Sequence, residues 1–415
     1  MNLDRILARL KPSKQERKIK ENISAHVIEI LSKQFDDVRL LGSFARNTEL
    51  RGNSDLDIFV FFDKEEKNIG DKVVDFCKKH FKHYEINYAQ HKYIRLKFDN
   101  IYVDVVPGYR INKGERILSA VDRTPFHHEF LTKYLKEDLK DEVRLLKGFL
   151  KGINVYGAEI KTMGFSGYLT ELLIVKYQSF ENVLKSIKDW QFPVSISLTK
   201  CNKVFNSLFT FIDPVDCNRN VASPISNVNI IRLFYAARSF IQSPSKEYFF
   251  PTKIRKPQHN LFTISFDTPN ITDDTRYGEL NKIRNKLIRF LSNKHISILD
   301  SYIHISNKSS YILLETLESN LNPNILVRGP IFYDIKNIVK FLPKPMFVTD
   351  GNYMFKIKKS PKHVKEYIMY FLKHCSTKHY REGKLLRTTP KTVFNLFSRQ
   401  KYIDSLIMRF LSHSS

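Results

Sequence analysis

The stretch Gly52-Asn53-Ser54-Asp55-Leu56-Asp57-Ile58-Phe59-Val60-Phe61-Phe62 constrains this chain more than any other. Strand side chains alternate between faces, so Asp55 and Asp57 share one face while Leu56, Ile58, Val60 and Phe62 take the opposite one. Two carboxylates held so close repel each other, and a hard divalent cation between them relieves the repulsion. Upstream lies Leu40-Leu41-Gly42-Ser43-Phe44-Ala45-Arg46, with eleven residues between Ser43 and Asp55. A Gly-Ser turn can offer backbone N–H groups and a hydroxyl to phosphate. The two segments together read as a metal-and-phosphate site built on a sheet.

A third carboxylate fits the same scheme. In Ile101-Tyr102-Val103-Asp104-Val105-Val106 the apolar Ile101, Val103 and Val105 face one way and Asp104 the other, and Pro107-Gly108 is expected to close the strand. If the two strands are neighbours, Asp55, Asp57 and Asp104 converge. Such a trio, with phosphate oxygens, can hold two Mg²⁺ ions roughly 4 Å apart. Taken singly the pieces are ordinary: an Asp-x-Asp is usually a solvated strand end, and Asp104 could be an exposed strand residue.

The rest of the chain reads in three parts. Ser13-Lys14-Gln15-Glu16 predicts a capped helix to about Gln34, and strands are expected at 38–41, 57–62, 93–98 and 101–106 with a helix over 71–81. This is an α+β head, residues 1–135. A helical segment follows, 136–260. Val143, Leu146, Phe149 and Leu150 line one helix that Gly152 ends, Ser166 caps a second running to about Phe180, and 231–241 forms another. From 261 to 415 the pattern is mixed: helices over 277–292 and 364–374, and a hairpin of Pro345–Val348 with Tyr353–Ile357 across Asp350-Gly351. The fold class is therefore multidomain α+β.

Charge narrows the partners. There are 68 Lys and Arg against 43 Asp and Glu, a net charge of +25 that draws polyanions. The stretch from Gly351 onward has 14 Lys/Arg against 3 Asp/Glu, interleaved with Tyr353, Tyr367, Tyr370, Tyr380 and Phe394. Basic and aromatic residues so mixed suit nucleic acid, whose backbone and bases they meet, although a solvated basic face has the same composition. Cys77, Cys201, Cys217 and Cys375 show no C-x-x-C spacing and are expected to be free thiols in a reducing, cytoplasmic setting. His127-His128 and His374-Cys375 lack further ligands at zinc spacing. No run of about 18 apolar residues and no signal-peptide core is present, so neither a membrane span nor secretion is expected.

Gly42-Ser43, Asp55-x-Asp57 and Asp104 resemble the polymerase-β-type nucleotidyltransferase superfamily. Asp122-Arg123-Thr124-Pro125-Phe126-His127-His128, Val155-Tyr156-Gly157, Gly164-Phe165-Ser166-Gly167-Tyr168-Leu169-x-Glu171-Leu172-Leu173 and Asp213-Pro214-Val215-Asp216-x-x-Arg219-Asn220-Val221-Ala222 narrow the resemblance to the archaeal, class I CCA-adding enzymes. It is strong over residues 35–225 and diffuse beyond about 260. Asp55 stands where Glu is also common in that family, and Cys217-Asn218 interrupt a run that is usually more basic.

The resemblance implies template-independent addition of C, C and A to the 3′ end of tRNA from CTP and ATP. It also implies a homodimer and contact with the acceptor end and elbow of tRNA. By matching positions, Asp55, Asp57 and Asp104 would hold the metals, and Gly42, Ser43 and Arg46 would meet the triphosphate. Thr124, His127, Lys147 and Tyr156 would line the ribose and triphosphate pocket, and Arg219 would help read the base. The residues alone leave other readings open. Arg46 could be a surface charge, Lys147 a helix-surface lysine, Tyr156 a cover for the core, His127 a structural histidine, and Arg219 a partner for phosphate or an acidic side chain. A poly(A) polymerase-like enzyme and a non-catalytic RNA-binding protein are the rival functions.

Overall fold

The computed structural model describes residues 1–53, 55–64, 66–88, 91–112, 115, 117–321, 324–331, 337, 346–349, 353–359 and 361–408. The chain divides into two compact units: Met1–Thr252 together with the chain from Ile403 on, and Lys253–Tyr402.

The first unit opens with α1 (Leu3–Leu10) and α2 (Lys14–Leu31). Ser13 caps α2 by accepting from the Glu16 N–H at 3.1 Å. The Glu16 carboxylate instead reaches Lys20 and the Gly52 N–H, so only half of the capping box forms. Then come β1 (Val38–Leu41), the single turn α3 (Gly42–Ala45), β2 (Asp55–Phe62), α4 (Ile69–His80), β3 (Tyr84–Tyr88), β4 (Lys92–Phe98) and β5 (Ile101–Tyr109). They form one sheet of order β1-β2-β5-β4-β3. Only β2 and β5 run parallel, and the crossover that a parallel pair requires is supplied by α4 and the β3–β4 hairpin. Val27 and Leu31 of α2 and Val73, Val74 and Cys77 of α4 cover one sheet face, packed on Leu56, Ile58, Val60, Leu96, Val103 and Val105. Each of these side chains contributes roughly 1.5–3 kcal/mol when fully buried.

Two features depart from the sequence-based expectation. β3 is not anticipated, because its alternation is weak. β5 does not stop at Pro107-Gly108 but continues to Tyr109, with Pro107 opposite Val60 and Gly108 opposite Phe61. The β4 pairing ends at Val105, so from there β5 is an edge on that side, where a proline is tolerated.

The helical part of this unit comprises α5 (Thr124–Tyr134), α6 (Glu137–Gly152), α7 (Gly167–Tyr177), α8 (Phe180–Lys188) and α9 (Asn227–Gln242), with a small sheet β6 (Val194–Ile196), β7 (Phe209–Asp213) and β8 (Asp216–Asn220). Val143, Leu146, Phe149 and Leu150 lie in one core with Leu169, Leu172 and Leu173. The helix expected to reach Phe180 ends at Tyr177, where Gln178 turns left-handed and Ser179 caps α8. Cys201 and Cys217 are joined in a disulfide with Cα atoms 5.8 Å apart, which corrects the free-thiol expectation for this pair. Their contact depends on the β6–β8 fold, and a spacing of 16 residues does not reveal it. Cys77 and Cys375 are free.

In the second unit β9 (Asn260–Asp267), α10 (Asp273–Ser292), β10 (Ile298–Ile305) and β11 (Ser309–Thr316) precede β12 (Asn324–Ile331), β13 (Met346–Thr349), β14 (Tyr353–Lys359), α11 (Val364–His374), β15 (Lys384–Leu385) and α12 (Lys391–Ile407). The sheet β10-β11-β9-β15 packs against α10 and α11 through Ile264, Ile312, Leu287 and Ile368. β13 and β14 pair antiparallel with Phe347 opposite Phe355, as the hairpin expectation requires; its Asp350-Gly351 connection lies outside the described residues. The end of α12 belongs to the first unit, where Ile403, Leu406 and Ile407 join the core and the Tyr248 hydroxyl donates to the Leu406 carbonyl.

Candidate active site

Strand register assembles the carboxylates. Leu41 on β1 lies opposite Asp57 on β2, and Asp57 lies opposite Asp104 on β5. Asp55 is opposite Tyr102, on the same face as Asp57. Beyond Asp57 that face is apolar: Leu41, Phe59 and Phe61 cluster there with Val121. Asp57 therefore sits where polar surface meets packed side chains. Burial, then the charges of Asp104 and Asp55, push its carboxyl up to about 6, with Arg46 and Arg95 opposing. Burial and Asp104 also raise Asp55.

Gly42 follows Leu41 and closes the site from the side. Its φ is +75°, and a Cβ there would lie 2.0 Å from Asp57 Oδ2. The chain needs glycine both for the left-handed backbone and for that approach. Gly42 and Ser43 open α3, whose start carries no side-chain cap.

Asp104 has a partner that the sequence reading missed. Arg95 on β4 lies directly opposite it and donates through Nε and Nη2 to its two oxygens, each at 2.7 Å. The signal was present, since Arg95 alternates with the buried Ile94 and Leu96 and so faces the carboxylates. Three hard oxygen donors, two of them destabilised as anions by their neighbours, fit a divalent cation in chemical kind. Among the described residues no three His, Cys, Asp or Glu side chains are gathered closely enough to hold a metal. In the arrangement seen, the Asp104 carboxylate is engaged by Arg95.

Behind the Gly-Ser turn lies a buried ionic cluster centred on Glu171, a fully buried carboxylate of α7. Arg46 donates to Glu171 Oε2 through Nε at 3.1 Å and Nη2 at 2.8 Å. Lys147 of α6 reaches Glu171 Oε1 at 3.3 Å, the Thr48 carbonyl at 3.1 Å and the Thr48 hydroxyl at 3.2 Å. The Thr48 hydroxyl also donates to Glu171. Lys147 is thus a buried member of a cluster and not a helix-surface lysine. Burial lowers its pKa, and Glu171 opposes that shift. Arg144, one turn earlier, donates to the carbonyls of Glu49 and Asn47 and ties the same 47–49 turn to α6. Tyr156 is largely enclosed, and burial raises its hydroxyl first, then the Glu171 charge. A Cβ at Gly167 would lie 3.2 Å from the Tyr156 hydroxyl. Glu171 is a charge inside the apolar run of α7, which is the sequence signal for such a cluster.

A second buried carboxylate, Asp213, organises the remaining residues. Its Oδ2 accepts from Arg219 Nη1 at 2.7 Å and contacts His127 Nε2 at 2.9 Å. Its Oδ1 accepts from the Tyr168 hydroxyl and the Val215 N–H, each at 3.1 Å. Burial alone would raise the Asp213 carboxyl, but His127 and Arg219 outweigh it and hold it below the usual range. The His127 ring stacks on Tyr168 with centroids 4.0 Å apart. Thr124 opens α5, and its neighbour Arg123 pairs with Asp216 at 2.9 Å. The charge of Arg46 acts on Asp57, Tyr156 and Tyr168 alike, so the carboxylates, the Glu171 cluster and the Asp213 group lie within electrostatic reach of one arginine.

Comparison with known proteins finds three matching segments. Residues 25–127 match the nucleotidyltransferase domain, 141–250 the second domain of tRNA nucleotidyltransferases, and 258–389 the C-terminal domain of CCA-adding enzymes. The chain is 37% identical over 359 residues to the CCA-adding enzyme of Sulfolobus acidocaldarius, covering 84% of this chain and 85% of that one. It is 34% identical over 441 residues to that of Methanocaldococcus jannaschii, covering 96% and 98%, and 35% identical over 351 residues to that of Saccharolobus shibatae, covering 82% and 84%.

Proposed function

We propose, on the premise that this chain belongs to the family of CCA-adding enzymes, that it is a tRNA nucleotidyltransferase adding C, C and A to the 3′ ends of tRNA from CTP and ATP. It also restores incomplete CCA ends. The observation that carries the reading is the row Leu41–Asp57–Asp104 across three adjacent strands, with Gly42 fitted against Asp57.

Asp55, Asp57 and Asp104 would hold the divalent cations. Two Mg²⁺ ions there would activate the attacking hydroxyl and neutralise charge on the departing phosphates. The tRNA 3′ oxygen forms a bond to the α-phosphorus as it loses its proton, the α–β phosphoanhydride bond breaks, and pyrophosphate leaves. The backbone N–H groups at Gly42 and Ser43 face the triphosphate, and Arg46 and Lys147 supply its counter-charge. Glu171 keeps both cations oriented before nucleotide arrives, so little reorganisation accompanies binding. Thr124, His127 and Tyr156 line the ribose side, and Arg219 meets the base. Holding a cation would require Asp104 to exchange its Arg95 partner.

The head (1–135) thus does the chemistry, the helical segment (136–260) completes the nucleotide pocket, and the basic region from 261 grips the acceptor end and elbow of tRNA. The family further points to a homodimer working in the cytoplasm. No helix among the described residues is long and apolar enough to cross a membrane.

The test is incubation with tRNA lacking CCA, each nucleotide and Mg²⁺, followed by sequencing of the 3′ ends. Three added residues ending in A are expected. A long homopolymer would assign a poly(A) polymerase activity instead, and undetectable pyrophosphate release would leave an RNA-binding protein. Asp57→Asn should abolish addition while tRNA binding persists, and near-normal rates in that variant would refute the site.

A further inference from the structure

We propose that Asp213 is the positioning residue for nucleotide selectivity, because it fixes the Arg219 guanidinium as an oriented donor against the incoming base. The inference rests on the CCA-adding reading and on the base-facing role of Arg219, and it adds what makes that arginine selective.

Asp213 is fully buried at the end of β7, and both its oxygens are hydrogen-bonded. An anion persists in such a place only when both oxygens are satisfied. Here four groups from four places do so: His127 from α5, Tyr168 from α7, the Val215 N–H from the turn, and Arg219 from β8. A carboxylate held from so many directions has no freedom to follow the arginine. Arg219 is about one-third exposed (34%), and among the described residues no hydrogen bond besides that to Asp213 engages it. A guanidinium is planar with donors in a rigid fork, so anchoring Nη1 restricts where the remaining donors can point. A buried, preorganised hydrogen-bond network therefore holds one partly exposed group.

The chemistry of the bases shows what that aim selects. Cytosine and adenine each present a ring-nitrogen acceptor, N3 or N1, beside an exocyclic amine. Uracil and guanine present an N–H at the same place, beside a carbonyl. A fixed cationic donor meets an acceptor in the first pair and another donor in the second. An arginine free to swing could follow the carbonyl and accept all four. Rejection by a mismatched polar contact reaches far larger factors than rejection by size, provided that the polar group cannot move.

The experiment competes equimolar CTP and UTP for tRNA lacking CCA, and ATP and GTP for tRNA ending in CC, and reads the added residue by sequencing. The ratio within one reaction is independent of how much enzyme is folded, so loss of stability does not affect it. Asp213→Asn keeps the shape and removes the charge, and should lower the C-over-U and A-over-G ratios at least about tenfold. Tyr168→Phe removes one of the four donors and should lower them less, by about two- to fivefold. An unchanged ratio in Asp213→Asn overturns the inference. If that variant retains no measurable addition, an unchanged ratio in Tyr168→Phe overturns it. Failure of the unaltered enzyme to add C, C and A would refute the proposed function itself, which is a separate outcome.

Discussion

Replacing Gly42 by alanine isolates the tightest contact of the site. Two terms act on the variant. A left-handed backbone costs a residue with a Cβ roughly 1–2 kcal/mol, and Gly42 has φ +75°. The new Cβ would also lie 2.0 Å from Asp57 Oδ2 and 2.9 Å from its Cγ. Non-bonded heavy atoms settle near roughly 3.5 Å, so the carboxylate or the turn must move by more than about 1 Å. Overpacking of this kind costs about 1–3 kcal/mol, giving a total near 2–5 kcal/mol if the turn stays in place. A misplacement of about 1 Å in a reacting site can lower the rate on the order of 10²-fold. Gly52 supplies the control. Its φ is +70°, but a Cβ there meets nothing within 4 Å. Gly52→Ala should lose only the backbone term, about 1–2 kcal/mol, with addition unimpaired. The assay pairs chemical denaturation with single-turnover incorporation of labelled CMP into tRNA lacking CCA. If Gly42→Ala adds CMP as fast as Gly52→Ala, the contact with Asp57 has no part in positioning that carboxylate.

Two further outcomes are expected. Glu171→Gln leaves the buried Lys147 without its counter-charge and should destabilise the protein by about 3–5 kcal/mol. Adding Lys147→Met should recover part of that loss on denaturant unfolding, and a double variant no more stable than the single one would contradict a direct pairing. In the second unit Lys365, Lys373, Arg381, Lys384 and Arg387 line a groove of about 920 Å³ between α11, β9 and β15. Exchanging the exposed Lys365 and Lys373 for glutamine should weaken tRNA binding and flatten its dependence on log salt, by about 0.7–0.9 for each phosphate that is no longer neutralised. An unaltered slope in filter binding would place the RNA footprint elsewhere. Deleting the basic tail outright is a poorer test, because Leu406 and Ile407 belong to the core of the first unit.

The head of the molecule was legible because its information is local. A period of two set the faces of Asp55, Asp57 and Asp104, and a period of 3.6 set the inward faces of α2, α4 and α6. The motifs also carried the family resemblance, which the matches to known proteins bear out. The spacing of Gly42 and Asp57 marked a phosphate-and-metal site, although not the 2.0 Å approach that makes glycine necessary.

What the sequence left open is pairing at long range. Arg46 meets Glu171 across 125 positions, and His127 meets Asp213 across 86. No periodicity reports such pairs, because a buried charge can be satisfied by any partner that the fold delivers, and only the packed arrangement of α5, α6, α7 and β7–β8 selects which. The same holds for Arg95 on Asp104, where strand register decides, for Cys201 with Cys217, and for the end of α12. The Asp-x-Asp strand by itself determined the kind of chemistry: hard oxygen ligands on one face, with a phosphate-binding turn beside them. Tertiary structure decided which cations are held by Glu171, which arginine is aimed by Asp213, and how closely Gly42 lies against Asp57. Desolvation is the physical reason, since removing these charges from water makes the identity and geometry of each partner matter in a way that the linear order of residues cannot express.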